Sequence, residues 1–270
     1  MKTMNAMTAR PTLLGVSNQK GGVAKTTNTI NLAGALSELG EKVLVVDADP
    51  QGYLTNRLGF RDQYQSESPT LFDAFENPNT APIEELIVAH AEFDVLPSNI
   101  DLFKLEQTLI ASGMKPRTRL ADYFDRLIET CDYDYILVDA PPSLGPINDN
   151  VLLATENVVI PCEADDTSIL ALEHLLNQIE TLEDKYGVVI RERGIIISNV
   201  NYPLDNEQKG MLDWYEDTFS GRMPVHIIRH RAAIKRAMNS GGSVFSEGAE
   251  ECDMVDKYLQ IATGLRESGA

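Results

Sequence analysis

Lys20 and Lys25 stand five positions apart around the glycine pair Gly21-Gly22, in the run Lys20-Gly21-Gly22-Val23-Ala24-Lys25-Thr26-Thr27. Glycines let backbone N–H groups turn inward around an anion, and a helix starting there adds a favourable dipole. Lys25 is then placed to reach terminal phosphates, and the Thr26 hydroxyl to sit on Mg2+. The strict glycine pattern of such loops asks for Gly at positions 19 and 24, where this chain has Gln19 and Ala24. Two further runs end in acids. Val43-Leu44-Val45-Val46 leads into Asp47-Ala48-Asp49-Pro50-Gln51-Gly52, and Tyr135-Ile136-Leu137-Val138 leads into Asp139-Ala140-Pro141-Pro142-Ser143-Leu144-Gly145. Carboxylates at the carboxyl ends of such strands bind Mg2+-associated water or orient a nucleophile. A lone strand-end Asp is more often a cap or turn residue. Three such runs in order are a far stronger signal than any one.

These residues need strands and helices to hold them. Apolar runs predict strands at Leu13–Asn18, Val43–Asp47, Phe93–Leu96, Tyr135–Asp139, Val158–Pro161, Gly194–Ser198 and Val225–Ile228. Most are continuous Val/Ile/Leu runs, as strands covered on both faces require. Helical spacing marks Thr26–Leu39, through Ile30, Leu32, Ala33, Ala35, Leu36 and Leu39. It also marks Ser168–Leu182, with Ile169, Leu172, Leu175, Leu176, Ile179 and Leu182 on one stripe. The alternation predicts an α/β fold: a doubly wound, mostly parallel β-sheet flanked by helices on both faces. Ligands bind such sheets at the carboxyl ends of the strands, where the glycine loop falls. Gly59–Pro82 is polar and turn-rich and reads as irregular structure on one edge. The expected organisation is a flexible tail over 1–11, one domain over 12–265 and a C-terminal tail over 266–270.

The 270 residues suffice for one large domain, and 43% hydrophobic content is that of an ordinary globular protein. No apolar run approaches the roughly 20 residues that span a bilayer. The polar start, Met1–Pro11, lacks the apolar core of a secretory signal; Met4 and Met7 are alternative starts. Cys131, Cys162 and Cys252 show no CxxC spacing and read as reduced cytosolic thiols. The net charge of −18 repels nucleic acid and anionic membranes unless a local patch reverses the sign.

The three motifs together resemble those of the ParA/MinD-type ATPases, P-loop NTPases with a deviant Walker A loop, and specifically the ParA branch. The resemblance runs from Leu13 to about Phe245 and rests on Lys20–Thr27, Asp47–Gly52 and Asp139–Gly145. It implies that Gly21, Gly22, Val23, Ala24, Lys25, Thr26 and Thr27 wrap the phosphates of ATP. It implies Mg2+ held by Thr26 and Asp139, with Asp47 supporting the metal's shell. Asp49 positions the attacking water, Lys20 reaches the nucleotide of a partner subunit, and Asn199 meets the adenine. A homodimer with ATP sandwiched between subunits follows, in which hydrolysis depends on dimerisation. The implied function is DNA partition or cargo positioning in the cytoplasm, on the nucleoid when ATP is bound, with a ParB-like or cargo-adaptor activator. The chain departs from the family at Ala24, where glycine is usual, and over Ser198-Asn199-Val200-Asn201-Tyr202.

One region reverses the charge. From Gly221 to Ser246 there is no Asp or Glu, but Arg222, Arg229, Arg231, Lys235 and Arg236 are present. Ala232–Asn239 reads as a short helix with Ala233, Ile234, Ala237 and Met238 inward. Arg229, Arg231, Lys235 and Arg236 then form a candidate patch for sequence-independent DNA contacts. The acid-free stretch Gln107–Ala121, with Lys115, Arg117 and Arg119, extends it. The bland alternative is that these arginines pair with surface carboxylates or a facing subunit. The competing class, a MinD-like membrane-associated positioning ATPase, needs a basic amphipathic helix at the end. Glu250–Leu265 has Met254, Val255, Tyr258, Leu259 and Ala262 on one stripe, but Glu250, Glu251, Asp253 and Asp256 on the other face. Anionic lipid repels that face, so a helix docked on the core is expected.

Overall fold

Unbroken Val/Ile/Leu runs must be covered on both sides, and they build the centre of an eight-stranded sheet. The computed structural model describes residues 10–65, 68–112, 119–230, 232–246 and 252–269. Residues 1–9 of the expected tail, with Lys115, Arg117, Arg231, Glu250 and Glu251, lie outside the described residues. In chain order the first elements are β1 (Thr12–Val16), α1 (Lys25–Glu38), β2 (Val43–Asp47), α2 (Tyr53–Arg57), α3 (Arg61–Gln65), α4 (Leu71–Glu76) and α5 (Ile83–Leu86). Then come β3 (Val88–Ala89), β4 (Asp94–Leu96), α6 (Leu102–Ser112), α7 (Arg119–Thr130), β5 (Tyr135–Asp139), α8 (Pro146–Thr155) and β6 (Asn157–Cys162). The last are α9 (Asp166–Tyr186), β7 (Arg191–Val200), α10 (Asn206–Phe219), β8 (Val225–Arg229), α11 (Ala232–Asn239) and α12 (Met254–Glu267).

The strand order is β3-β4-β2-β5-β1-β6-β7-β8, and every pairing is parallel except β3 with β4. Alternation along each strand divides its side chains between two helical layers. Leu14, Val45, Leu137, Val159 and Ile196 face α1, α2, α11 and α12. Leu13, Leu44, Val46, Ile136 and Val138 face the layer of α4 to α8, while Val158, Ile160, Ile195 and Ile197 face α9 and α10. The register sets Asp139 level with Val16 on one side and with Asp47 on the other. All three chemical runs therefore emerge together at the carboxyl ends of adjacent strands.

The expected doubly wound sheet is present, with differences that have local causes. The expected irregular stretch Gly59–Pro82 contains α3 and α4, the latter begun by a capping box in which Thr70 and Asp73 serve each other's backbone. β3 is a two-residue antiparallel edge, too short to leave a pattern. α9 outruns its apolar stripe at both ends, from an Asp165 cap accepting from the Ser168 N–H to left-handed Gly187. α12 buries Met254, Tyr258, Ile261, Ala262 and Leu265, so the docked reading holds. It also runs past the expected boundary at 265, with Arg266 paired to Glu41 at 2.7 Å. Among the described residues, no helix is long and apolar enough to cross a membrane.

α1 starts from a strained residue. Ala24 has φ 64 and ψ 30, a left-handed conformation that glycine adopts freely and an L side chain resists. That conformation costs an alanine roughly 1–2 kcal/mol, while glycine gains unfolded-chain entropy worth about 0.4–1 kcal/mol. Ala24→Gly is therefore expected to stabilise the fold by about 0.5–1 kcal/mol, read as a higher chemical-denaturation midpoint; a lower midpoint contradicts the strain.

Candidate functional site

The glycine loop is anchored at its base before it turns. The Ser17 hydroxyl donates to Asn148 Oδ1 at 2.8 Å, and Asn18 Nδ2 to the Pro161 carbonyl at 2.7 Å. Asn18 Oδ1 accepts the Lys20 N–H at 2.9 Å, starting the turn. Gly22 has φ 85, and a Cβ built on Gly21 or Gly22 meets nothing within 4 Å, so both glycines face open space. Lys25 Nζ folds back over the loop and donates to the Lys20 carbonyl at 2.9 Å. A cavity of about 330 Å3 lies over this loop and reaches Thr26, Asp49, Tyr53 and Pro142.

Asp139 ties the loop to the sheet. Thr26 Oγ1 donates to its Oδ2 at 2.7 Å, and Thr29 Oγ1 donates to its Oδ1 at 3.1 Å. Burial pushes its carboxyl well above the ordinary range, against the hydroxyls of Thr26 and Thr29 and the charge of Lys25. Lys25 is pulled down by burial and held up by Asp139 and Asp49. A buried acid and a buried ammonium, each short of compensation, leave this corner suited to an anion with its cation.

The two aspartates after β2 have different surroundings. Asp47 Oδ2 accepts from Thr55 N at 2.8 Å and Thr55 Oγ1 at 2.6 Å, and its Oδ1 accepts from Asp49 N at 3.1 Å. Asp47 is fully buried, and burial with Asp139 alongside raises its pKa. Oδ1 thereby holds the start of the Asp49–Gln51 turn, and Oδ2 holds Thr55 of α2. Asp49 faces the cavity; burial raises its pKa, against the Gln51 N–H and Lys25. Thr55 and Ser98 complete the support, since Ser98 Oγ donates to the Asp49 carbonyl at 2.6 Å. Neither lies in a motif, and an isolated Thr or Ser leaves no sequence signal.

Lys20, expected to reach a partner, is turned onto its own chain. Its Nζ lies 2.5 Å from Asp165 Oδ2, 3.0 Å from Ser168 Oγ and 3.2 Å from Glu163 Oε2. Burial lowers its pKa, but the two carboxylates outweigh that and raise it overall. Asp165 is raised by burial and lowered more by Lys20, Thr167 and the Ser168 N–H, ending at about 2.

Asn199, with φ 60, donates from Nδ2 to Glu163 Oε1 at 2.8 Å. It lines a second cavity of about 210 Å3 that shares Ala24 and Thr27 with the first. The expected DNA patch meets this cavity. Arg229 and Lys235 line it, and Arg229 also stacks 4.2 Å from the centre of the Tyr202 ring. α11 buries Ala233, Ile234, Ala237 and Met238 as expected and leaves Lys235 and Arg236 exposed. Arg231 lies outside the described residues. Arg222 pairs with Glu192, and Arg119 donates to the Phe75 carbonyl at 2.9 Å, so neither extends an open patch. Beneath the cavity, Tyr258 donates to Asn28 Oδ1 and Asn28 Nδ2 to Ser198 Oγ, both at 2.9 Å. That buried chain joins α12, α1 and β7 behind the glycine loop and was not legible as a motif.

Comparison with known proteins places these observations in a family. Residues 12–191 match the family model described as an AAA domain. The sporulation initiation inhibitor protein Soj of Bacillus subtilis is 33% identical over 266 residues, covering 95% of this chain and 99% of Soj. An uncharacterised protein of Mycobacterium tuberculosis is 34% identical over 200 residues, covering 74% of this chain; the match spans 61% of that relative's length. In fold, the chain is similar to McdA of Cyanothece, solved as a complex with ATP, with a TM-score of 0.83 and 22% identity over 96% of this chain and 97% of that one. With a family match over most of the sheet and a likeness to Soj along nearly its whole length, the chain belongs to the ParA/MinD-type P-loop ATPases.

Proposed function

We propose that this protein is an ATP-dependent dimerising switch that hydrolyses ATP and partitions DNA or positions cargo. The observation that carries the reading is the Thr26–Asp139 contact of 2.7 Å, with Lys25 folded over the same loop. It joins the helix start that receives phosphates to the acid that serves a metal. The residues fit Mg2+–ATP. Gly21 and Gly22 face open space, Thr26 and Asp139 would hold the metal, and Asp139 is a buried carboxylate that a cation relieves. When bound, Mg2+ supplies positive charge against the phosphates. The chain's own residues do the rest. Lys25 leaves the Lys20 carbonyl for the terminal phosphates, and Asp49 orients the attacking water. Asp47 holds the turn that aims Asp49. The cavity beside Asn199 takes the base, with Asn199 at its rim.

Dimerisation enters through Lys20. To act on a partner's nucleotide, its ammonium exchanges Asp165 and Glu163 for that phosphate. The exchange is feasible because Asp165 is 41% exposed at its side chain, so water takes over its solvation. Hydrolysis then depends on the encounter of two subunits. The DNA reading rests on Arg229, Lys235 and Arg236 at the same end of the sheet, with Arg231 between them in sequence. A ParB-like or cargo-adaptor protein stimulates turnover, and the ATP dimer sits on the nucleoid.

Four outcomes test this reading. Lys25→Ala is expected to lower ATP turnover by about 100-fold or more, measured as phosphate release with Mg2+ present; turnover within a few-fold of wild type contradicts the loop assignment. For wild type the rate per subunit is expected to climb with protein concentration, whereas Lys20→Ala gives a low, flat rate. The same variant should be less stable than wild type at neutral pH, with the difference closing in acid: Asp165 is depressed to about 2 in the fold, so its contacts stabilise above its ordinary value of 3.8 and fade as pH falls toward 2. Equal rates and equal neutral-pH stability for both proteins would sink the Lys20 assignment. Finally, a gel-shift series with ATP should show DNA binding that weakens steeply with salt and is reduced by Lys235→Ala combined with Arg236→Ala. Absence of binding at low salt removes DNA as the partner.

A further inference from the structure

Gly145 ends the Asp139–Gly145 loop and caps α8 with φ −132 and ψ 171, an extended conformation open to any residue. Beside it lies the side chain of Glu106. Its Oε1 fills the space that a Cβ on Gly145 would occupy, and Ser143 Oγ lies 3.5 Å from the same point. Glu106 sits on α6, half-buried, with no hydrogen bond or ion pair among the described residues. Burial and the charge of Asp49 raise its pKa. Ser143 Oγ likewise makes no hydrogen bond among the described residues. A carboxylate acceptor and a hydroxyl donor thus face one spot on the loop that begins with Asp139, and neither is used. Leaving a half-buried carboxylate without a donor is unfavourable, so a conformation that satisfies it is favoured.

We propose that Glu106 is a positioning residue for ATP hydrolysis: it accepts the Ser143 hydroxyl as the loop closes, and so fixes the segment from Asp139 to Gly145 against the reacting phosphate. The proposal rests on the ATPase reading above and deepens it. α6 becomes the element that holds this loop.

Glu106→Ala, Ser143→Ala, the double variant and Glu106→Gln test it together, each measured for kcat, ATP affinity and thermal midpoint. Expected are a fall in kcat of about tenfold or more for each alanine variant, with ATP affinity and midpoint near wild type. The double variant should be no slower than the worse single one, because both remove one contact. Glu106→Gln, which keeps an acceptor oxygen of the same reach, should recover part of the rate. Unchanged kcat, additive losses, or losses that follow a lower midpoint or weaker ATP binding each overturn the proposal. Wild type that releases no phosphate overturns the ATPase reading and this proposal together, whereas active wild type with unaffected variants overturns only the role of Glu106.

Discussion

Two hydroxyls from the first turn of α1 share one buried carboxylate, and the rest of the site is arranged around that contact. Thr26 and Thr29 lie three residues apart, on one face of the helix, and meet the two oxygens of Asp139. A carboxylate taken wholly from water is costly unless its oxygens are satisfied. These two donors hold the helix start against the end of β5 and thereby set the height of the glycine loop over the sheet. The loop's anchors at Ser17 and Asn18 fix the other side.

The charges around this point form a resting arrangement of the single subunit. Lys25 caps a carbonyl of its own loop, and Lys20 is held by Asp165 and Glu163. Both ammoniums have a local oxygen partner that a phosphate can replace. Charge-assisted contacts to phosphate are stronger than the contact between Lys25 and a neutral carbonyl, so in the proposed function Lys25 leaves that carbonyl at little cost when nucleotide binds. Lys20 would give up two carboxylates and need a phosphate in return. On that proposal the two lysines of one loop respond differently: Lys25 to the chain's own nucleotide, Lys20 to an encounter.

Much of this was legible in the sequence where a run of residues carries the signal. β2 and β5 have the expected bounds to the residue, because an aspartate ends each apolar run. α11 matched for a similar reason, its four buried residues falling at helical spacing. What stayed hidden depends on distance along the chain. Asp165 lies 145 residues from Lys20 in sequence, and no local pattern pairs them. Asp47 and Asp49 look equivalent as strand-end acids, yet the turn after β2 buries one and aims the other at the cavity. Ala24 was visible as a departure from the glycine pattern, but its left-handed backbone was not. α4 was missed because its capping box uses Asp73 where Glu or Gln is the usual partner.

In the proposed function, the nucleotide's terminal phosphate releases Lys20 and joins two subunits. Sedimentation of the wild-type chain with Mg2+ and either a non-hydrolysable ATP analogue or ADP tests this most directly. A dimer with the analogue and a monomer with ADP is the predicted result. The same mass with both nucleotides, each shown to be bound, would contradict it.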